Sequence, residues 1–164
     1  MKIYLVLPKI NYNRMKKVIL ILVMAVTIVL SANAQKMNAK DVPTAVTTSF
    51  AKNFPTVKDP KWVKEDGNYE ANFDFNKAET SAEFDASGTL LETETEISVS
   101  ALPQPALDYA KKTYPDNKIK EASRIKDAKG IISYEAEMKG MDLVFDEKGK
   151  MLKEIKHEVK EKKD

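Results

Sequence analysis

The strongest constraint on this chain is an internal repeat with a period of about sixty residues. Val42-Pro43 recurs as Leu102-Pro103, and Phe54-Pro55 as Tyr114-Pro115, both at an offset of 60. Tyr69-Glu70-Ala71 returns as Tyr134-Glu135-Ala136 at 65, and Phe84-Asp85-Ala86-Ser87-Gly88 as Phe145-Asp146-Glu147-Lys148-Gly149 at 61. Four matches in one order predict a duplicated unit, with a longer first loop and a shorter middle hairpin in the second copy. A unit of that length is marginal alone, so the two copies are expected to share their stability.

Each copy opens with a helical pattern. Val42, Val46, Phe50 and Phe54 in the first copy, and Leu102, Ala106, Ala110 and Tyr114 in the second, recur every four residues and so stack on one helix face. Such a stripe reads as core-facing, with Phe54 and Tyr114 in equivalent core positions. Asp41 and Ser100 are the expected caps, Pro43 sits where a first-turn proline is tolerated, and Pro55 and Pro115 stop the runs. The period then switches to two. Tyr69, Ala71, Phe73 and Phe75 alternate with Glu70, Asn72 and Asp74, Ala82, Phe84 and Ala86 with Glu83 and Asp85, and Leu91, Thr93, Thr95 and Ile97 with Glu92, Glu94 and Glu96. The second copy offers Ile132 to Met138, Met141 to Phe145 and Met151 to Val159, and a short strand at Trp62-Val63 is matched at Ser123 to Lys126. Alternation of this kind describes antiparallel strands with one buried and one wet face. Asp-x-x-Gly between the last two strands reads as a tight hairpin, because it lacks the further oxygen ligands of a calcium loop. The expected fold is therefore α+β. Two tandem helix-plus-antiparallel-strand repeats, residues 35–98 and 99–159, join into one sheet of six to eight strands with both helices on one face. Residues 97–101 form the linker and 160–164 a charged tail.

Ahead of the repeats, Met15-Lys16-Lys17 precedes Val18 to Leu30, thirteen residues with Thr27 as the sole polar one, and then Ser31-Ala32-Asn33-Ala34. A charged start, an apolar stretch and a small-x-small site form a secretory signal peptide, with cleavage before Gln35 and Met15 as the expected true start. As a helix, that stretch reaches about 20 Å, short of the ~30 Å hydrocarbon core of a bilayer. Residues 1–34 are thus assigned to export, and the mature chain is expected in the periplasm or outside the cell, with no stable membrane insertion.

Together, the signal peptide, the tandem helix-plus-hairpins units, the proline at each helix start, aromatic-Pro at each helix end and Phe-Asp-x-x-Gly before each last strand resemble the PepSY-like, β-lactamase-inhibitor-like family. The resemblance covers Val42 to Val159 and implies exported proteins of Bacteroides-type bacteria whose paired repeats form a curved sheet. It also implies a route to function, since true β-lactamase inhibitors of this kind grip an enzyme with the concave face. Those inhibitors carry disulfides in each repeat, and this chain has no cysteine.

Residues 1–34 hold five basic groups and no acid, which leaves 22 basic against 25 acidic groups in the remainder. A net negative body argues against a nucleic-acid partner. The absence of cysteine removes thiolate zinc sites, iron–sulfur clusters and cysteine nucleophiles. No Gly-x-Ser-x-Gly, phosphate loop or dinucleotide fingerprint occurs, and no carboxylate sits in an apolar run that would raise its pKa. His157, beside Lys153, Lys156 and Lys160, reads as an unpaired surface base. The chain is accordingly expected to be no enzyme and to need no cofactor or metal. Two features are candidate partner-binding elements. Glu92, Glu94 and Glu96 lie on one side of a strand, with Glu70 and Asp74 expected beside them across the sheet. Trp62 reads first as core and second as an exposed anchor. The first copy carries 7 basic and 12 acidic groups and the second 15 and 13, which singles out the first as the acidic half. The expected function is a non-catalytic periplasmic module holding a protein or peptide on its sheet face. The alternatives are inhibition of a periplasmic enzyme and carriage of a cation or small ligand on the acidic strand.

Overall fold

A computed structural model describes residues 35–157. The expectations for the export segment 1–34 and the tail 160–164 fall outside these residues. In chain order the elements are β1 (Gln35–Met37), α1 (Thr44–Asn53), β2 (Lys61–Glu65), β3 (Asn68–Phe75), β4 (Ala78–Phe84), β5 (Leu90–Ile97), α2 (Gln104–Thr113), β6 (Ile119–Asp127), β7 (Ile132–Met138), β8 (Met141–Asp146) and β9 (Met151–Lys156). A single 3-10 turn, Ala39–Asp41 or Val99–Ala101, precedes each α-helix. All nine strands pair antiparallel with their chain neighbours in one sheet of order β1 to β9. The sheet exceeds the expected six to eight strands because the three residues ahead of the first helix also pair, Met37 opposite Trp62. Among the described residues no helix is long and apolar enough to cross a membrane.

The prolines set the helix ends, though not quite as the spacing predicts. Pro43 and Pro103 occupy the N-cap position with φ/ψ of −54°/140° and −53°/135°. Neither helix has a side-chain cap, so Asp41 and Ser100 do not act as caps and lie instead inside the 3-10 turns. The Pro43 carbonyl takes the N–H groups of Val46 and Thr47 at 3.0 and 3.1 Å. At the other end Phe54 and Tyr114 have nearly the same backbone, φ −129° and −130° with ψ 63°. A proline excludes the helical region for the residue before it, so Pro55 and Pro115 end both helices at the same point.

Two cores form, one under each helix. Helix α1 buries Val46 and Phe50 against Trp62, Tyr69, Ala71, Ala82 and Phe84. Helix α2 buries Ala106 and Ala110 against Ala122, Ala136, Met138, Leu143 and Phe145. Trp62 pairs with Ala71 and Ala122 with Ala136, so Trp62 and Ala122 hold the same place in the two copies. The first core is aromatic, with the Phe50 ring 5.1 to 5.4 Å from the rings of Phe73, Phe54 and Trp62. In the second, alanine replaces both Phe50 and Trp62, and Met138, Leu107 and Tyr109 fill the space, Tyr109 standing 5.9 Å from Phe145. Tyr114 is half-buried where Phe54 is buried, and its hydroxyl donates to Glu154 Oε2 at 2.5 Å.

Both helices cover one face, because the pairing carries that face across the junction. Ala82 opposes Thr93, and Ile97, on the same side of β5, opposes Ala122. The five residues by which Tyr134 lags Tyr69 do not lengthen the first loop, as expected from sequence, but extend β6 and its turn into β7. That extension lets β6 pair with β5 from Glu92–Asp127 through Ile97–Ala122. Register shifts at Glu83/Phe84 and Val144/Phe145 mark equivalent bulges just before the Asp-x-x-Gly turns. In these turns Asp85 Oδ1 accepts from the N–H groups of Ser87 and Thr89, and Asp146 Oδ1 from those of Lys148 and Lys150, at 2.8 to 2.9 Å.

Candidate functional site

The face opposite the helices carries most of the acidic side chains of the strands. Period-two alternation sends Glu70, Asn72, Ser81, Glu83, Glu92 and Glu94 away from the core that Ala71, Ala82 and Thr93 face. Pairing then aligns them in rows. Glu70 opposes Glu83, Glu83 opposes Glu92, and Glu92 opposes Asp127, four acidic residues in line across β3 to β6. A second row runs Glu121, Glu137, Asp142 across β6 to β8. Between them lie Glu94, opposite Ser81 and Ile125, and Glu135, opposite Ser123 and Val144. Arg124 and Lys126 of β6 fall on the helix side. Lys61 of β2, opposite Asn72, and Lys153 of β9, opposite Val144, share the open face with the acids, and both copies contribute to the acidic rows.

Directly opposed like charges destabilise a sheet, and this face opposes several. Glu70, Glu83, Glu92, Glu94 and Glu135 make no ion pair with any described residue. Lys120 reaches Glu137 at 3.8 Å, an exposed contact of little weight. Amide donors take part of the load, Asn68 to Glu83 and Asn72 to Glu70 at 2.7 Å each. Burial by the surrounding strands, then Glu83 and the other nearby carboxylates, pushes Glu92 up to about 7. Burial, then Glu94 and Asp142, pushes Glu135 up to about 8. Glu94 is raised chiefly by burial, against the lowering effect of a hydrogen bond from Ser123. The expectation that no carboxylate would be perturbed is thus overturned. The cause is first burial between the strands and then the neighbouring carboxylates, neither of which an apolar run in the sequence announces.

Asp142 stands out within the patch. It is 9% exposed, its Oδ2 meets His157 Nε2 at 2.6 Å, and its Oδ1 is buried with no hydrogen-bond partner. A buried acceptor left unpaired costs about 1–3 kcal/mol. His157 is accordingly paired, contrary to its reading as an isolated base. A groove of about 510 Å³ lies on the same face, with Lys61 as well as Glu70, Asp74, Glu94, Glu96 and Glu121 among its walls. Among the described residues no group of three His, Asp or Glu side chains is placed to hold a metal ion.

The sequence candidates divide. Glu92 and Glu94 are half-buried members of the patch, and Glu96 is exposed at its rim. Glu70 and Asp74 are not their direct neighbours, because β4 lies between and contributes Glu83, Ser81 and Glu79. Trp62, 4% exposed and edge-on to Phe50, belongs to the core and cannot anchor a partner. Glu83, Glu135, Glu137 and Asp142 lie on the same face and are not among the sequence candidates. The alternation of Glu135 and Glu137 with Tyr134, Ala136 and Met138 was the signal that could have found the latter strand.

Solved structures share this fold. A DUF2874 family protein from Bacteroides uniformis superposes with a TM-score of 0.63 at 17% identity, over 70% of this chain and 88% of that one. One from Bacteroides ovatus gives 0.62 at 20%, over 70% and 86%. A BLIP-like protein from Bacteroides fragilis gives 0.60 at 22%, over 74% and 92%. No curated protein matches the chain. The profile of the family described as "beta-lactamase-inhibitor-like, PepSY-like" matches residues 67–153, from the turn before β3 into β9 and more than half of the sequence. The chain belongs to the PepSY-like, β-lactamase-inhibitor-like family.

Proposed function

We propose that this is a non-catalytic, exported binding protein of the periplasm that holds a protein or peptide on the open face of its sheet. One observation carries the reading: nine strands are covered by helices on one face, while the other is a continuous surface with a groove of about 510 Å³. Export rests on the signal pattern of residues 15–34. The raised carboxylates Glu92, Glu94 and Glu135 meet chiefly other carboxylates and the Ser123 hydroxyl, which suits a recognition surface better than an acid–base pair. The BLIP-like description of the B. fragilis relative favours a special case, in which the partner is an enzyme and binding inhibits it. The test is photo-crosslinking in the periplasm of the producing bacterium, with the reactive residue at Ser81 on the open face or at Lys52 on α1. Adducts from Ser81 alone are expected. Adducts from Lys52 alone, or from neither position, would overturn the proposal.

A further inference from the structure

We propose that two copies of this chain join through the free edge of β9, running antiparallel about a two-fold axis at Ile155. Such a dimer does not depend on what the open face binds.

The repeat identifies the edge. Strand β9 lies on β8 as β5 lies on β4, with every paired position displaced by the same 61 residues that separate Phe84 from Phe145. Glu83–Glu92 becomes Val144–Lys153, Ser81–Glu94 becomes Asp142–Ile155, and the bulge at Phe84 returns at Phe145. The outer edge of β5 pairs with β6 from Glu92–Asp127 to Ile97–Ala122, so neither this bulge nor this register prevents a neighbour. Among the described residues the equivalent edge of β9 has none. The other end of the sheet differs. There β1 lies on β2 as β5 lies on β6, Gln35–Lys64 and Met37–Trp62 matching Thr95–Arg124 and Ile97–Ala122. With three residues, β1 is the short kind of edge strand that discourages further pairing. Strand β9 has six, and its Leu152 is left 57% exposed.

Backbone geometry and charge name the occupant. The His157 N–H donates inward to the Gly140 carbonyl at 2.9 Å, and successive residues of a strand turn their backbone groups to opposite sides. Glu154 and Lys156 therefore point their N–H and C=O groups out to the free edge. A second β9 centred on Ile155 sets Glu154 of each copy opposite Lys156 of the other, so the outward backbone groups pair and opposite charges meet. Within one chain Lys156 Nζ already lies 3.2 Å from Glu154 Oε1, and the four side chains would form an alternating network. On the other face Lys153 falls opposite His157, whose ring is held by Asp142 at 2.6 Å. Centring the pair on Lys153 or Glu154 would instead oppose like charges. A head-to-tail join is disfavoured by direction, because β1 and β9 run the same way and their outer edges would meet in parallel. Putting β9 in the place of β1, in the register of the seam, would set Lys156 against Lys64. The two-fold pairing uses up the long free edge of each copy and so stops at two.

The test exports the chain with its own residues 1–34, purifies it from the periplasm and follows it by sedimentation velocity across a wide concentration range. We expect a reversible monomer–dimer equilibrium with no larger species. Lys156→Pro removes an outward donor and leaves the bonds to β8 in place, so it should give monomers with an unchanged far-ultraviolet spectrum. Glu154→Lys should weaken association on the order of tenfold, and Glu154→Lys/Lys156→Glu should restore it. Both variants lose the Tyr114 bond, so that loss cannot explain the rescue. The chain has no cysteine, so Ile155→Cys puts a single thiol opposite its own copy, with Cα atoms about 4.5 Å apart and within disulfide reach. Mild oxidation should then yield a covalent dimer, and Lys36→Cys on β1 should not. Monomers throughout, a dimer that persists in Lys156→Pro, crosslinking at position 36 in place of 155, or a ladder of larger species would each overturn the inference.

Discussion

Phe54 closes the end of the first helix, with its ring 5.3 Å from Phe50, 4.7 Å from Phe73 and 5.6 Å from Phe75. Phe54→Ala should cost about 3–5 kcal/mol in urea unfolding, and a loss under about 1 kcal/mol would contradict this packing. The carboxylates of the open face give the second residue-scale prediction. Glu92 and Glu135 bind protons up to about 7 and 8 in the folded chain, against an ordinary 4.5 when unfolded. Between those values the folded state holds more protons, so stability falls as pH rises through that window. Asp85 and Glu154 are shifted down, Asp85 first by its bond from Ser87 and Glu154 first by its bond from Tyr114. Their contribution runs the other way and is lost as the pH falls below the ordinary carboxylate range. The melting temperature should therefore peak near pH 5 and drop toward pH 8.5, and the Glu92→Gln/Glu135→Gln variant should flatten the drop. A melting temperature that climbs steadily from pH 5 to 8.5 would show that these groups are not crowded as described.

At the scale of elements, the two Asp-x-x-Gly hairpins beside the helices do more than turn the chain. Gly88 and Gly149 have φ of +86° and +78°, and an added Cβ would sit 2.5 Å from Ala45 O or 2.9 Å from Ala106 N, in the first turn of each helix. The third such turn, Asp127 to Gly130, shares the Oδ1 bonding pattern and a φ of +80°, but its glycine meets only Lys126 Cε at 3.9 Å. Gly130→Ala should then cost only the left-handed backbone, about 1–2 kcal/mol, whereas Gly88→Ala and Gly149→Ala should lose roughly 2–4 kcal/mol. Equal losses at all three positions in chemical denaturation would show that the helices do not press on the first two. These turns, the strands and the helix ends were legible in the sequence because each is written locally, in Phe-Asp-x-x-Gly, in period-two alternation and in aromatic-Pro. Pairing partners are not local. Glu92, Glu94 and Glu96 were readable from one strand, but Glu83 joins them only because β4 lies between β3 and β5. Glu135 and Asp142 join them only because β6 to β8 continue the same sheet. Counting charge along the chain singled out the first copy, whereas the register draws the acidic rows from both copies. Trp62 was ambiguous for a related reason, since a single residue on a short strand has no period to say which way it points.

For the whole molecule, the join between the copies decides whether there is one surface or two. Strands β5 and β6 pair over six positions, from Glu92–Asp127 to Ile97–Ala122, as fully as strands within either copy. The two cores share no buried residue, and this seam joins their strands. Each copy is near the size at which a core alone is marginal, and splitting the chain at residue 98 would bare the long edges of β5 and β6 to other molecules. The seam also brings Glu92 and Glu94 of one copy against Asp127 and Ile125 of the other, so the acidic patch is completed only when the copies are joined. Residues 35–164 should thus unfold in urea as one cooperative transition, monitored by Trp62 fluorescence for the first copy and by circular dichroism for both. Residues 35–98 and 99–164, expressed separately, should be unfolded or aggregated. Halves that fold alone with the midpoint of the whole would make them independent beads. Two separated transitions in the joined chain would mean that the second copy can open while the first stays folded. In either case the rows from β3 to β8 would not act as a single rigid face, and a partner lying across them would have to hold the seam together itself.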